Sequence, residues 1–231
     1  MIVDGLCKNG MVEEAEELAS NIENNNLKRD EVTYNLLISG YSMKGNSEKC
    51  LELYKKMKAS EIKPTINTYH PVSQMNLNLD RLLYNELIQF YTDLGFVAKT
   101  CSLYHEMIDN GVLPDRMAYN SLIRAYLKER KIHESKDIVD QMKASGLVPK
   151  ADTYDTKIKG LCDIKMFSEG YIWYREMVAN IFFSSVNDAR ELLSGLKEGG
   201  KLQEVQVMSS EMNVEGLDYF SAKKKKQNPF N

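Results

Sequence analysis

Three histidines, four cysteines and a run of glutamates are the side chains of this 231-residue chain suited to acid–base work, nucleophilic attack or metal binding, and their spacing decides what they can do. A catalytic nucleophile needs a base within hydrogen-bond reach, and the base needs a group to orient it. His70, His105 and His133 fall in separate stretches with no repeated acidic, Ser or Cys neighbour, and no P-loop, dinucleotide fingerprint or H-E-x-x-H sequence occurs. Cys7, Cys50, Cys101 and Cys162 lack C-x-x-C spacing. Zinc requires clustered ligands, so scattered thiols read as core residues in a reducing compartment. Glu13-Glu14 and Glu16-Glu17 form the densest carboxylate patch, but on one helix and off its apolar stripe, which is the pattern of a solvated face. The chain therefore reads as a non-enzyme with no metal, no cofactor and no small-molecule substrate.

Composition narrows the class further. With 43% hydrophobic and 27% charged residues, the chain can bury a sizeable core. The formal net charge of −3 supplies no global basic field to draw a nucleic acid, although a local groove can still be basic. No apolar run reaches the length of about 20 residues that a membrane helix needs, so no membrane partner is expected. The opening MIVDGLCKNG has no cationic segment ahead of an apolar one and no Arg/Ser-rich presequence. No targeting peptide is expected in this chain, and any organelle address is expected to lie outside it or to be absent.

The elements that carry these residues are read from hydrophobic spacing. In VTYNLLISGYSMKGNSEKCLELYKKMKASEIKPT, residues 32–65, Tyr34, Leu37, Ile38 and Tyr41 recur at helical intervals on one face; Cys50, Leu53, Tyr54 and Met57 do so in a second segment. Gly45 suits the positive φ that ends a helix, Ser47 is placed to cap the next one, and Pro64 stops it. This predicts a helical hairpin with an apolar stripe on each helix, too small to hide both stripes alone.

The hairpin repeats. Tyr34 and Tyr69, Tyr84 and Tyr119, and Tyr119 and Tyr154 are each 35 residues apart, and Pro64, Pro114 and Pro149 stay in step. YNLLISGY returns as YNELIQFY and YNSLIRAY. Units run 31–65, 81–115, 116–150 and 151–185, with a weaker copy at 186–220. Met1 aligns with the sixth place of a unit, so the chain reads as a fragment or truncated gene model of a longer array. Only 15 residues separate Tyr69 from Tyr84, which leaves 66–80 as a degenerate half-unit or linker. Pro71 is expected to disfavour a clean leading helix there beyond its opening turn. The expected domains are repeats in 1–65, the half-unit 66–80, four repeats in 81–220, and a basic disordered tail, 221–231, holding Lys223 to Lys226. Trailing-helix stripes such as Thr100, Leu103, Tyr104 and Met107, or Gly170, Trp173, Tyr174 and Met177, run small, large, large, large. Periodic recurrence makes them the core between stacked hairpins rather than a cofactor pocket. The expected fold class is all-α, an α-solenoid of helical hairpins.

These units resemble pentatricopeptide repeats of the uniform 35-residue type. The likeness lies in Thr33-Tyr34-Asn35 with Leu37-Ile38, Gly45, Glu48, Leu53, Met57 and Lys63-Pro64, and again in Tyr119-Asn120-Ser121-Leu122-Ile123, Met142, Gly146 and Pro149. Tetratricopeptide repeats, the nearest rival, run at about 34 residues with a different Trp/Gly/Ala pattern. The resemblance covers residues 1 to about 220. It implies a right-handed superhelix that recognises single-stranded RNA at one base per repeat. It also implies a plant protein of the mitochondrion or chloroplast, acting with other organellar proteins in RNA processing, stability, editing or translation.

In that family the fifth and last residues of a unit meet the base edge, and the second wedges against its face. An Asn amide donates and accepts whereas Asp only accepts, so the pair can sort base edges. The resemblance then implies base contact by Asn35 with Thr65, by Asn85 with Asp115 (the family's pairing for uracil), by Asn120 with Lys150, and by Asp155, whose unit also offers Ser185 but from which no base is read. Val32, Leu82 and Met117 are the implied wedges, and Asp152 stands where the next apolar wedge belongs. Lys150 cannot accept a hydrogen bond, and the last copy offers Arg190 and Phe220, from which no base is read. Lys8 and Lys128 hold the place, late in the leading helix, where the family sets a lysine for the phosphate backbone. Helix capping is the alternative role for Asn35, Asn85 and Asn120. Two other readings of the whole chain are a peptide-holding scaffold of the tetratricopeptide kind and a non-functional remnant.

Overall fold

The computed structural model describes residues 2–24, 29–75, 79–182 and 186–212, and every regular element among them is a helix. In order these are α1 Ile2–Lys8, α2 Val12–Asn24, α3 Glu31–Met43, α4 Ser47–Ala59, α5 Ile66–Ser73, α6 Arg81–Asp93, α7 Val97–Asp109, α8 Arg116–Lys128, α9 Ile132–Ala144, α10 Ala151–Asp163, α11 Phe167–Ala179 and α12 Val186–Glu198. A further helix, α13, covers 202–212. The chain divides into two compact units between Leu79 and Asp80. In the first, α1 pairs with α2 and α3 with α4, while α1, α3 and α5 lie side by side. In the second, the pairs are α6 with α7, α8 with α9 and α10 with α11, and α6, α8, α10 and α12 form the row of leading helices. This is an all-α helical-repeat solenoid architecture.

Local chemistry explains each hairpin. The Asp30 carboxylate accepts the Thr33 amide at 2.8 Å and starts α3, whose Tyr34, Leu37, Ile38 and Tyr41 are buried. Gly45 takes φ +70°, the left-handed residue that ends the helix. The same place is held by Arg130 and Lys165 at φ +59° and +62°, so the turn geometry overrides an ordinary side chain's preference. The cap of α4 is Asn46 and not Ser47: the Asn46 Oδ1 accepts the Lys49 amide at 3.2 Å, and Ser47 is already helical. Asn and Ser cap about equally well, and the short turn places Asn46 first.

Trailing helices bury the expected stripes. All four members are buried in α4, α7 and α9 (there Ser135, Ile138, Val139 and Met142). In the α2 stripe of Ala15, Leu18, Ala19 and Ile22, Leu18 is half-buried and the Ile22 side chain lies outside the described residues, and in α11 Trp173 is half-buried. The small leading member is a matter of clearance, since a Cβ on Gly170 would stand 3.1 Å from Leu192 of α12. The half-unit departs from expectation. Its helix α5 continues through Pro71 to Ser73, two residues past the proline, although at 8 residues it is shorter than the 13-residue α3. Reciprocal bonds between Thr65 and Thr68 start it, and Tyr69 and Val72 are buried in a helix that packs on α3, which holds the turn that the proline weakens.

One core position is anomalous. Leu37, Leu87 and Leu122 occupy the seventh place of their units and are buried; in the unit starting at Ala151 that place is Lys157, also fully buried. Its ammonium donates to Ser135 Oγ at 2.5 Å and lies 5.0 Å from the Trp173 ring centroid. Burial pushes its pKa down to about 8; Lys136 adds to the shift, and Asp140 and Asp137 oppose it. A folded pKa below the unfolded value of 10.5 means that between these two values the unfolded chain holds a proton that the folded chain lacks, so stability rises with pH. Lys157→Leu should therefore be more stable than the parent near pH 7 in denaturant melts. The advantage should shrink by on the order of 3 kcal/mol between about pH 8 and 10.5. A gap between the two proteins that stays constant over that window would contradict this.

Candidate functional site

The site is built by a tyrosine that opens each of α6, α8 and α10. The Tyr84 hydroxyl donates to Glu106 Oε1 at 3.1 Å and accepts from Asn110 Nδ2 at 2.7 Å. Tyr119 bonds Ser145 Oγ at 2.9 Å, and Tyr154 meets Glu176 at 3.4 Å and Asn180 at 3.3 Å. Each bond joins the start of a leading helix to the end of the trailing helix of the same unit. The ring of Tyr119 also meets that of Tyr104 in the preceding unit at 5.9 Å. Burial, with the Glu106 carboxylate adding to it, raises the Tyr84 hydroxyl above its ordinary pKa, so it stays a neutral donor.

This pin fixes the residue that follows. Asn85 is buried and its Nδ2 donates to Asp115 Oδ2 at 2.9 Å, so the fifth and last residues of unit 81–115 come together. The other oxygen, Asp115 Oδ1, accepts the Met117 and Ala118 amides at 2.9 and 3.2 Å and caps α8. A carboxylate only accepts, so it must draw the amide's NH2 end and turn the amide oxygen away. That oxygen, Asn85 Oδ1, is buried without a protein partner. On the same helix Leu82 is 64% exposed, an apolar side chain left to solvent.

Asn35 and Thr65 also meet, with Asn35 Nδ2 at 3.4 Å from Thr65 Oγ1 and 3.3 Å from Glu31 Oε1. Here both ends of the amide are taken, because Asn35 Oδ1 accepts from Thr68 Oγ1 at 2.6 Å. Val32 is exposed in the first turn of the same helix. Asn120 takes a different partner from the one expected. Its Nδ2 lies 3.2 Å from Asp152 Oδ2, which also receives Arg116 Nε at 2.8 Å, while the exposed Lys150 precedes α10 with no side-chain cap bond. The physical reason is that an ammonium has nothing to offer an amide NH2, and the next carboxylate does. Met117 is exposed and Asp155 half-buried; Arg190 is exposed; Ser185, Phe220 and the lysines 223–226 lie outside the described residues. The capping alternative for the asparagines is replaced: Asp30, Asp80 and Asp115 cap α3, α6 and α8, five residues ahead of each Asn.

Two depressions mark the leading-helix row of the second compact unit. One of about 510 Å³ is lined by Asp115, Arg116, Met117, Asn120, Arg124 and Asp152 among others. The other, about 410 Å³, includes Arg124, Lys128, Asp155 and Lys159. Arg124 is paired with Asp93 at 3.0 Å, yet its Nε is buried without a partner. The two lysines expected at phosphates have protein partners: Lys128 donates to the Thr92 and Asp93 carbonyls at 2.7 and 3.3 Å, at the C-terminal end of α6, and the exposed Lys8 pairs with Asp4 at 2.9 Å. Among the described residues no group of three His, Cys, Asp or Glu is placed to hold a metal, and no helix is long and apolar enough to cross a membrane. Arg116, Arg124 and Thr68 were not singled out from the sequence. Laying the units in register would have exposed Arg81 and Arg116 as paired first residues.

Comparison with known proteins follows the same register. The model of the PPR repeat family matches residues 1–42, 29–70 and 114–163, and a single PPR repeat model matches 83–112. A mitochondrial pentatricopeptide repeat-containing protein of Arabidopsis thaliana is 43% identical over 56 residues, 24% of this chain and 7% of that one. A second, putative mitochondrial protein of the same kind and organism is 35% identical over 68 residues, 29% and 9% of the two chains. The chain thus spans less than a tenth of the length of these relatives. Among solved structures, the pentatricopeptide repeat protein PPR10 from maize aligns with TM-score 0.53 and 24% identity over 93% of this chain and 34% of its own. PPR10 in complex with an 18-nt psaJ RNA element aligns with TM-score 0.50 and 17% identity over 88% and 38%. The PPR domain of Arabidopsis thaliana protein-only RNase P 1, in complex with tRNA, aligns with TM-score 0.53 and 18% identity over 77% and 86%. These structures share the fold.

The double duty of Asp115 generates a stability test. Asp115→Ala removes both the α8 cap and the acceptor of Asn85, and should lower unfolding free energy by about 1–3 kcal/mol. Asp115→Asn keeps a capping oxygen and should recover most of that loss in urea titrations. Equal stability of parent and Asp115→Ala would show that the cap carries no weight.

Proposed function

The chain belongs to the PPR repeat family, and from that premise we propose that it is a sequence-selective single-stranded RNA-binding adaptor facing one base per repeat. The observation that carries this reading is the Asn85–Asp115 pair at 2.9 Å with Asn85 Oδ1 left unpartnered. That acceptor, buried and unpaired in the free chain, would favour a base that presents a ring N–H, as uracil does, over one that presents a lone pair there, as cytosine does. Leu82 supplies an apolar face beside it, where a base can lie without losing its hydrogen-bonding edge. Asn35 with Thr65 and Val32 forms a second, weaker reading position, because Thr68 competes for the amide oxygen.

The boundaries that go with this function are repeats in 1–65, a half-repeat or linker in 66–80, four repeats in 81–220 and a basic tail. PPR10 bound to an 18-nt RNA and a PPR domain bound to tRNA support RNA as the ligand class for this fold. Two relatives named as mitochondrial support a plant mitochondrion as the compartment, in RNA processing, stability, editing or translation. The repeats act as an adaptor: they hold a strand for other proteins rather than change it. Phosphate contacts normally supply most affinity for nucleic acid. With Lys8 and Lys128 already engaged, binding by this chain alone should be weak.

Fluorescence anisotropy with short single strands tests the reading. Uracil-rich RNA should bind about tenfold or more tighter than adenine-rich RNA, with affinity falling as salt rises. Asn85→Ala should remove most of that preference. Equal affinity for both strands, or a preference unmoved by Asn85→Ala, would refute it.

A further inference from the structure

We propose that Asp152 is a specificity-determining residue that silences the base position between units 116–150 and 151–185; this rests on the RNA-binding reading above. Asp152 occupies the second place of its unit, where Val32, Leu82 and Met117 leave apolar side chains exposed in theirs. Its carboxylate is clamped from two sides, by Arg116 Nε at 2.8 Å and Asn120 Nδ2 at 3.2 Å. Both partners come from the opening turns of α8, so the three side chains form a bridge from α8 to α10.

Three consequences follow from that bridge. A base at this point would have to lie against a hydrated carboxylate instead of an apolar wedge, and would lose the stacking contact that fixes its plane. The Asn120 amide is drawn toward the next unit, whereas Asn85 is held by the last residue of its own. Both amide oxygens are buried with no partner, so the two positions differ in what holds the NH2 end: Asp115 for Asn85 and Asp152 for Asn120. The Arg116 guanidinium, a natural phosphate ligand, is neutralised by the carboxylate. Lys150 completes the pattern, since it cannot accept from the amide NH2 and so does not compete with Asp152 for that end. A strand held along these repeats is read beside Asn85 and passes the neighbouring position unread.

The test uses the full chain and a uracil tract in which adenine replaces one position at a time, with affinities measured by anisotropy. For the parent protein, substitution opposite Asn85 should weaken binding, and the position next to it on the α8–α10 side should tolerate any base. Asp152→Val should raise affinity for the all-uracil strand about tenfold and make that adjacent position sensitive as well. Asp152 is exposed in the first turn of α10, so the helix should survive the change; Asp152→Asn, which keeps the shape without the charge, should move affinity part of the way. A parent protein already selective at the adjacent position would overturn the proposal, as would an Asp152→Val scan identical to the parent's. Loss of selectivity opposite Asn85 as well would instead refute RNA reading itself, and the two failures are separable because each concerns a different nucleotide.

Discussion

A phenol hydroxyl bonded across its own hairpin is the contact on which the second compact unit depends. Tyr84, Tyr119 and Tyr154 each open a leading helix and each reach the last turns of the trailing helix or the residues just after them. The bond ties together two points that are 22 or 26 residues apart in sequence, and in doing so brings the end of a unit back beside its beginning. Helix geometry does the rest. Successive residues on a helix point about 100° apart, so a tyrosine directed into the hairpin leaves the next residue directed along its edge. The asparagines that follow the tyrosines are placed by this contact and need no device of their own.

What the asparagine then presents is set by its neighbour's chemistry. Asp115 accepts, and so leaves the Asn85 oxygen turned away from it, buried and unpaired. The Thr65–Thr68 pair both accepts and donates, and so satisfies Asn35 from both ends. Lys150 only donates, and Asn120 passes to Asp152. One residue type in one structural place thus has three different outcomes. The family's pattern of fifth and last residues describes the place, while the hydrogen-bond inventory of the partner describes the outcome.

Much of this was legible in the sequence, for identifiable reasons. The 35-residue recurrence of Tyr, apolar stripe, Gly and Pro reflects a constraint every hairpin must satisfy, so helices, turns and buried faces could all be read from spacing. The meeting of Asn85 with Asp115, and of Asn35 with Thr65, follows from that register once the family resemblance is admitted. The rest depends on individual partners that periodicity averages away. Asn46 takes the cap from Ser47 because both residues can perform it and only the turn chooses. Helix α5 runs through Pro71 because packing on α3 compensates. Lys128 serves two backbone carbonyls that no sequence pattern could identify as exposed acceptors. Lys157 was visible as a lysine in a leucine column, but its accommodation by Ser135 and Trp173 required coordinates.

The central claim is that the buried amide of Asn85 is the group that reads a base. Side-chain amide resonances report on it most directly, in the chain labelled with nitrogen-15 at asparagine and titrated with a uracil-rich single strand. The Asn85 resonance should shift in a saturable manner, while those of Asn110 and Asn180, beside the pinned tyrosine hydroxyls, should move little. Saturation of the RNA complex with Asn85 unmoved and Asn110 or Asn180 displaced would place the strand elsewhere and contradict the account.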